Sequence, residues 1–315
     1  MQNRLDKNTV IFIDAIRGLA ALGVLITHCF DFGIRGVFGE ELETAPDRWR
    51  WAAASIGHGG FFVWAFFVIS GLCIQQSIAR SLARDKFHLR DYIAARVTRI
   101  YPLFILGLGL AIAVWWFTDP PAHQTAGNPL PPLIASLASL QIFTGTFPNY
   151  MPSWSISNEM IYYIVWPCAL LLLRKHVGRT IKWLSIASAL ACVSIATLWL
   201  CSDRFLSSAA VNGMWILVVL FPLWLAGAFL AHRWREISGR INRGLWLSSI
   251  PLCLVAAFAL AWAKHSTTSI PLNNFLGILS IPGLVILVGG AHHAGLASKP
   301  RWHGLTRWLG QFSYP

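Results

Sequence analysis

Charged residues are scarce in this chain. Asp, Glu, Lys and Arg supply 12% of its 315 residues, where a soluble domain carries about 25%, and that shortage excludes a soluble globular protein. Acids are the rarer sign, thirteen against twenty-five bases. In a soluble chain the resulting net charge of +12 would point to nucleic acid. Here the bases sit in short stretches between apolar segments, so membrane topology accounts for them and no nucleic-acid partner is expected. The six cysteines are scattered within or beside apolar segments and include no CxxC pair, so they read as small core residues. There is no Walker A loop, no H-E-x-x-H, no G-x-S-x-G, no H-x-x-x-x-D and no metal-spaced His cluster. Neither a metal site nor a bound cofactor is therefore expected. His292 and His293 read as a helix-end pair. The first apolar run is too long for a cleavable signal peptide and lacks a small-residue cleavage site. With no repeat and no long linker, residues 1–315 read as a single membrane domain.

What the chain has in abundance is apolar sequence, 56% of it hydrophobic, with sixteen Trp and nineteen Phe. Apolar runs recur at about residues 10–30, 59–79, 100–117, 132–147, 160–173, 182–201, 211–231, 244–263 and 272–291. The expected fold is all-α, a polytopic bundle of transmembrane helices with about nine spans. The fourth run is short and polar, which suits a tilted or re-entrant helix. Orientation follows from the bases. Arg80, Arg84, Lys86, Arg90, Arg96 and Arg99 crowd one stretch, which is therefore cytoplasmic, and the acid-bearing stretch from Asp31 to Asp47 lies outside. The N-terminus is then inside. The later clusters at 174–182, 233–243 and 299–307 are also cytoplasmic only if the fourth run does not cross fully.

Two ionisable residues stand out inside the first run, Val10–Phe30, which is about as long as a helix needs to cross a bilayer. Arg17 and His28 are costly at such depth and mark a functional path rather than a plain anchor. Their separation of eleven residues is close to three turns, so both share one helix face, about 16 Å apart along the axis. Asp14, one turn before Arg17, is placed to pair with it. His28 alone would read as a hydrogen-bonded core group. With Arg17 on its face it reads as a general base, since an imidazole can take a proton from a hydroxyl and return it.

Three further blocks carry chemistry. Arg96 and Arg99 sit one turn apart just before an apolar span. Such a pair anchors a cytoplasmic helix end, or holds the phosphates of a cytosolic donor bidentately. Glu159 stands where an apolar span begins, after Trp154. It is either a helix N-terminal acid, with Ser155 or Ser157 near the cap, or an inward acid that orients His28 or an Arg. Ser70 and Gly71 lie together in the second run, where small residues chiefly permit close helix packing, leaving Ser70 a pocket-lining role at most.

In order and spacing these blocks resemble the acyltransferase 3 family of polytopic membrane acyltransferases that modify bacterial surface glycans. Asp14–His28 resembles the family's first helix with its Arg, ten residues, His pattern, and Phe61–Leu72 its FFVLSG-type second helix. Arg96–Pro102 is similar to RxxRIxP, and Pro152–Pro167 to the WSLSxExxFY-type block. The resemblance implies a ten-helix scaffold that moves an acyl group, usually acetyl from acetyl-CoA as co-substrate, to a sugar hydroxyl. It implies His28 as catalytic base or transient acyl carrier, with Arg17 and Glu159 in the catalytic set. Arg96 and Arg99 would be donor-binding, and Asp14, Ser70 and Trp154 supporting. The expected setting is the bacterial inner membrane, with lipid bilayer, acyl-CoA and a carbohydrate or glycolipid acceptor as partners. The family's last helix normally follows a Ser-Tyr block, here Gly310–Pro315, so that helix is expected to be missing. Two rival readings are a transporter or flippase for a lipid-linked sugar, with Arg17 and His28 on its path, and a non-catalytic relative.

Overall fold

A computed structural model describes residues 5–30, 59–117, 128–173, 175–201, 209–266, 277–295 and 304. The stretch from Asp31 to Asp47, Arg174, the bases at 299–307 and the segment Gly310–Pro315 lie outside the described residues. Among the described residues the regular structure is helical, without a strand. Among the described residues five helices are long and apolar enough to cross a membrane, or up to six if one bent pair counts as a single span. The polytopic all-α architecture holds at that level, and several of the expected spans are shorter or broken.

Helix α1 (Lys7–His28) begins three residues before its apolar run because Asp6 caps it. The Asp6 carboxylate accepts the Thr9 amide at 2.8 Å and the Thr9 hydroxyl at 2.7 Å, and so satisfies donors that the first helical turn leaves open. Helix α2 is Gly60–Leu82 and α3 is Leu89–Phe117. The basic stretch between the second and third apolar runs is thus mostly helix, with only Ala83–His88 between the two. The fourth run is broken into α4 (Leu130–Leu137) and α5 (Gln141–Thr144). Eight residues of helix span only about 12 Å, against about 30 Å of hydrocarbon, so neither piece crosses alone.

Next come α6 (Trp154–Leu172), α7 (Val177–Cys201) and α8 (Ala209–His232). Helix α9 (Trp234–Arg240) and α10 (Arg243–Ser266) meet at 95°. Last is α11 (Ile281–Gly289). The chain forms two compact units, residues 1–80 with 222–314, and residues 81–221 with 315.

In the first unit the core joins Ile13 of α1, Ile69 and Leu72 of α2, Leu230 and Ala231 of α8, Trp234 of α9 and Val288 of α11. Two glycines set the crossing of α2 with α8. A Cβ on Gly71 would stand 1.9 Å from the Trp224 carbonyl oxygen, and one on Gly227 would stand 1.8 Å from that of Val68. The backbones approach as closely as small residues allow, which is the packing role expected of Gly71.

The second unit has its own apolar centre, where Leu108 and Ala111 of α3 meet Phe147. Hydroxyls at membrane depth are turned onto carbonyls. Tyr162 donates to Leu217 O at 2.6 Å and Ser188 to Val218 O at 2.8 Å. At the break between α4 and α5, Ser139 takes a φ of 55°, and the Tyr101 hydroxyl of α3 reaches Leu137 O at 3.3 Å and Ser139 Oγ at 2.9 Å. Helix α5 is anchored twice, by Gln141 Nε2 on Ser153 O at 2.8 Å and by Ile142 O, which comes so near Gly213 that a Cβ there would be 2.0 Å away. Irregular backbone of this kind persists within a membrane only where protein covers it.

Candidate active site

In the first unit the apolar α1 delivers Asp14, Arg17 and His28. Arg17 Nη2 lies 3.1 Å from Asp14 Oδ1, and the Arg17 side chain is only 11% exposed. The i,i+3 spacing makes the pair, and partial burial, of Arg17 more than of Asp14, lessens the competition of water that weakens such pairs on a surface. The expected pairing is thus present. His28 is the last residue of α1, half-buried, three turns beyond Arg17 on the same face. Beside it, Thr27 donates to Gly23 O at 2.9 Å and packs 3.2 Å from where Gly59 would carry a Cβ. Ser70 is half-buried in α2, next to the tightly packed Gly71.

The second unit gathers a different set. Arg96 and Arg99 are one turn apart on α3, yet they diverge in setting, Arg96 half-buried and Arg99 exposed. The Arg96 guanidinium sits 5.4 Å from the centroid of the Tyr92 ring, within cation–π range. Its Nε and the Tyr92 hydroxyl are both buried without a hydrogen-bond partner among the described residues. Across from them Glu159 of α6 accepts the Tyr163 hydroxyl at 2.7 Å, and its carboxylate is close enough to act electrostatically on Tyr92. Glu159 is the sixth residue of α6, past the first turn, so the helix N-terminal acid reading loses its ground. The cap position belongs to Ser153, whose hydroxyl turns back to Tyr150 O at 2.7 Å, while Ser155 donates to Pro152 O at 3.1 Å. Ser157 is fully buried instead. Trp154 opens α6 and is half-buried.

Tyr92 and Tyr163 were not read as site residues from the sequence. Periodicity could have found them, since Tyr92 is four residues before Arg96 and Tyr163 four after Glu159, each one turn away on the same helix face. A groove of about 250 Å³ lies between α6, α7 and α8. Its walls include Tyr162, Ser188 and Phe221, but the two hydroxyls are spent on backbone carbonyls, so it is apolar and distinct from the Arg96–Glu159 cluster. Among the described residues no group of three or more His, Cys, Asp or Glu could hold a metal ion.

His292 and His293 lie in a 3₁₀ turn, Ala291–Ala294, after α11. Their rings are 4.0 Å apart and His293 Nε2 is 2.7 Å from Ile241 O. Burial, with the neighbouring His293, holds the His292 imidazole below its ordinary range, and Asp6 opposes the shift. The helix-end role read from sequence suits this placement.

Four motifs in order, with the half-buried Arg17–Asp14 pair and the Arg96–Glu159 cluster, agree with a match of residues 10–315 to the model of the Acyl_transf_3 acyltransferase domain. The chain belongs to the acyltransferase 3 family. All eight candidate residues, from Asp14 to Glu159, fall inside the matched span, and with it an acyltransferase domain and a membrane setting are given. Among curated proteins, the chain is similar to acyltransferase MdmB of Streptomyces mycarofaciens, 27% identical over 270 residues. That similarity covers 81% of this chain and 66% of MdmB, so the chain spans just under two thirds of that relative. It is also 27% identical over 236 residues to an uncharacterized protein of Haemophilus influenzae, covering 71% of this chain and 91% of that protein. No solved structure matches.

Proposed function

We propose that this family member transfers an acyl group, acetyl foremost, from cytosolic acyl-CoA to a hydroxyl of a carbohydrate or glycolipid at a bacterial inner membrane. The observation that carries the reading is the Arg17–Asp14 pair, a guanidinium 11% exposed in an apolar helix, with His28 three turns along. A plain anchor has no use for so costly a group. In the proposed reaction His28 takes the proton of the acceptor hydroxyl as its oxygen attacks the thioester carbonyl. The carbon–sulfur bond then breaks and the departing thiolate takes up the proton, leaving ester and free CoA. Arg17, three turns from His28 and paired with Asp14, serves the donor's side of the path rather than the reacting carbonyl. Arg96 and Arg99 hold the donor at the cytoplasmic face, with Glu159 as the supporting acid; Ser70 and Trp154 keep the supporting roles of their own motifs.

An inside N-terminus is supported by the breaking of the fourth run. When residues 130–172 count as one crossing, the bases at 80–99, 174–182 and 232–243 all fall on the N-terminal side, as the bias of bases towards the cytoplasm requires.

The test is His28→Ala, with mass spectrometry of surface glycans and CoA release by the purified protein as readouts. Loss of both with a folded protein is expected; full retained transfer overturns the assignment of His28. Failure of the unmodified protein to use any acyl-CoA overturns the acyl-transfer reading itself.

A further inference from the structure

The Tyr92 hydroxyl is absent from every role assigned so far, yet its position is costly. Tyr92 is 8% exposed, its ring wedged between Phe87, 6.0 Å away between centroids, and the Arg96 guanidinium. A buried hydroxyl without a partner is expensive, because its desolvation is not repaid. The neighbouring Arg96 Nε–H is in the same condition. Two donors thus stand open in one cluster, both asking for an acceptor oxygen. Glu159 is near enough to act on Tyr92 electrostatically, yet neither open donor reaches its carboxylate or any other acceptor among the described residues. The Arg96 guanidinium beside the two donors suits an anionic acceptor oxygen, and the nearby Glu159 carboxylate disfavours one that carries two charges.

We propose that Tyr92 is a donor-binding residue whose hydroxyl, with Arg96 Nε, holds a singly charged phosphoryl oxygen of the diphosphate in acyl-CoA. This rests on the acyl-CoA reading above and adds to it which part of the donor meets which side chain. Each phosphoryl of a diphosphate linkage carries one charge and offers oxygens to both donors at once, as a tyrosine–arginine pair requires. The 3′-phosphate of CoA, a monoester with nearly two charges, is not held here.

Tyr92→Phe removes one oxygen and keeps the ring, so the packing on Phe87 and Arg96 is retained and the melting temperature should stay level or rise. Calorimetry on the detergent-solubilised full chain would compare CoA, dephospho-CoA and pantetheine. The expected result is about tenfold weaker binding of both CoA and dephospho-CoA by the variant, ~1.4 kcal/mol, with pantetheine bound equally by both proteins. Unchanged affinity for dephospho-CoA overturns the assignment, as does a loss confined to CoA, which would place the 3′-phosphate at Tyr92. If the unmodified chain binds neither nucleotide, the donor itself is wrong, and the failure lies with the acyl-CoA reading rather than with Tyr92.

Discussion

Gly71→Ala is the most severe single-methyl change the structure offers. The added Cβ would lie 1.9 Å from the Trp224 carbonyl oxygen, 2.9 Å from its carbonyl carbon and 3.2 Å from the Ala228 nitrogen, where ordinary contact begins at 3.4 Å. All three obstacles are backbone, so no rotamer change clears them, and α2 and α8 must part by about 1.5 Å at that point. A gap of that size forfeits a quarter to a half or more of the dispersion well for each facing atom pair. The facing residues Val68, Leu72, Trp224 and Ala228 are at 0% exposure. Overpacking of a core costs about 1–3 kcal/mol even where side chains can yield; with rigid backbone on both sides the loss should reach or exceed the upper end. The check is thermal unfolding of the detergent-solubilised protein by size-exclusion fluorescence, with Gly109→Ala as control, since a Cβ there meets nothing within 4 Å. Gly71→Ala should melt many degrees lower, and Gly227→Ala should do the same, because its Cβ would stand 1.8 Å from Val68 O. If both variants melt with the unmodified protein while retaining activity, the inferred crossing of α2 and α8 is wrong.

Other expectations follow from single contacts. Asp14→Asn keeps an acceptor oxygen for Arg17 but removes the charge, so it should weaken the fold by about 1 kcal/mol and lower transfer; equal transfer at saturating donor would show that Arg17 needs no carboxylate. Asn158→Leu should raise stability by about 1–3 kcal/mol, since Asn158 is fully buried with neither amide atom paired among the described residues; a lower unfolding midpoint would contradict this. His292 lies below its usual range, so between that lowered value and the unfolded value near 6.5 the unfolded chain binds the extra proton. Stability should therefore fall as pH drops through this window. His292→Gln should flatten that part of the melting-temperature profile, and an unchanged profile would exclude His292 as its source.

Helix placement was legible because hydrophobic runs dominate it. The run at 10–30 became Lys7–His28, 59–79 became Gly60–Leu82, and 211–231 became Ala209–His232. Ends differed where polar residues extended a helix, as when Asp6 capped α1 or the turns from Leu89 to Arg99 joined α3. The break in the fourth run was less legible. The stretch Leu137–Leu140 contains neither Gly nor Pro, and its bend is held by Tyr101, thirty-eight residues before Ser139, a tertiary contact without a local signature. Likewise the motifs marked Arg96 and Glu159, but what surrounds them depends on α3 meeting α6, and periodicity within either helix says nothing of that meeting. The pairing of Asp14 with Arg17 was readable because three residues of one helix decide it.

The broken segment also bears on how the protein is made. A stretch built as eight and then four helical residues leaves amides open at the start of each piece and carbonyls open at its end, and lipid cannot satisfy them. Tyr101 donates to the Leu137 carbonyl, Gln141 ties α5 to Ser153 O, and Gly213 leaves room for Ile142 O; Gly213 is synthesised some seventy residues after α5. The contacts of α5 are therefore complete only after residues 153 and 213 have been made.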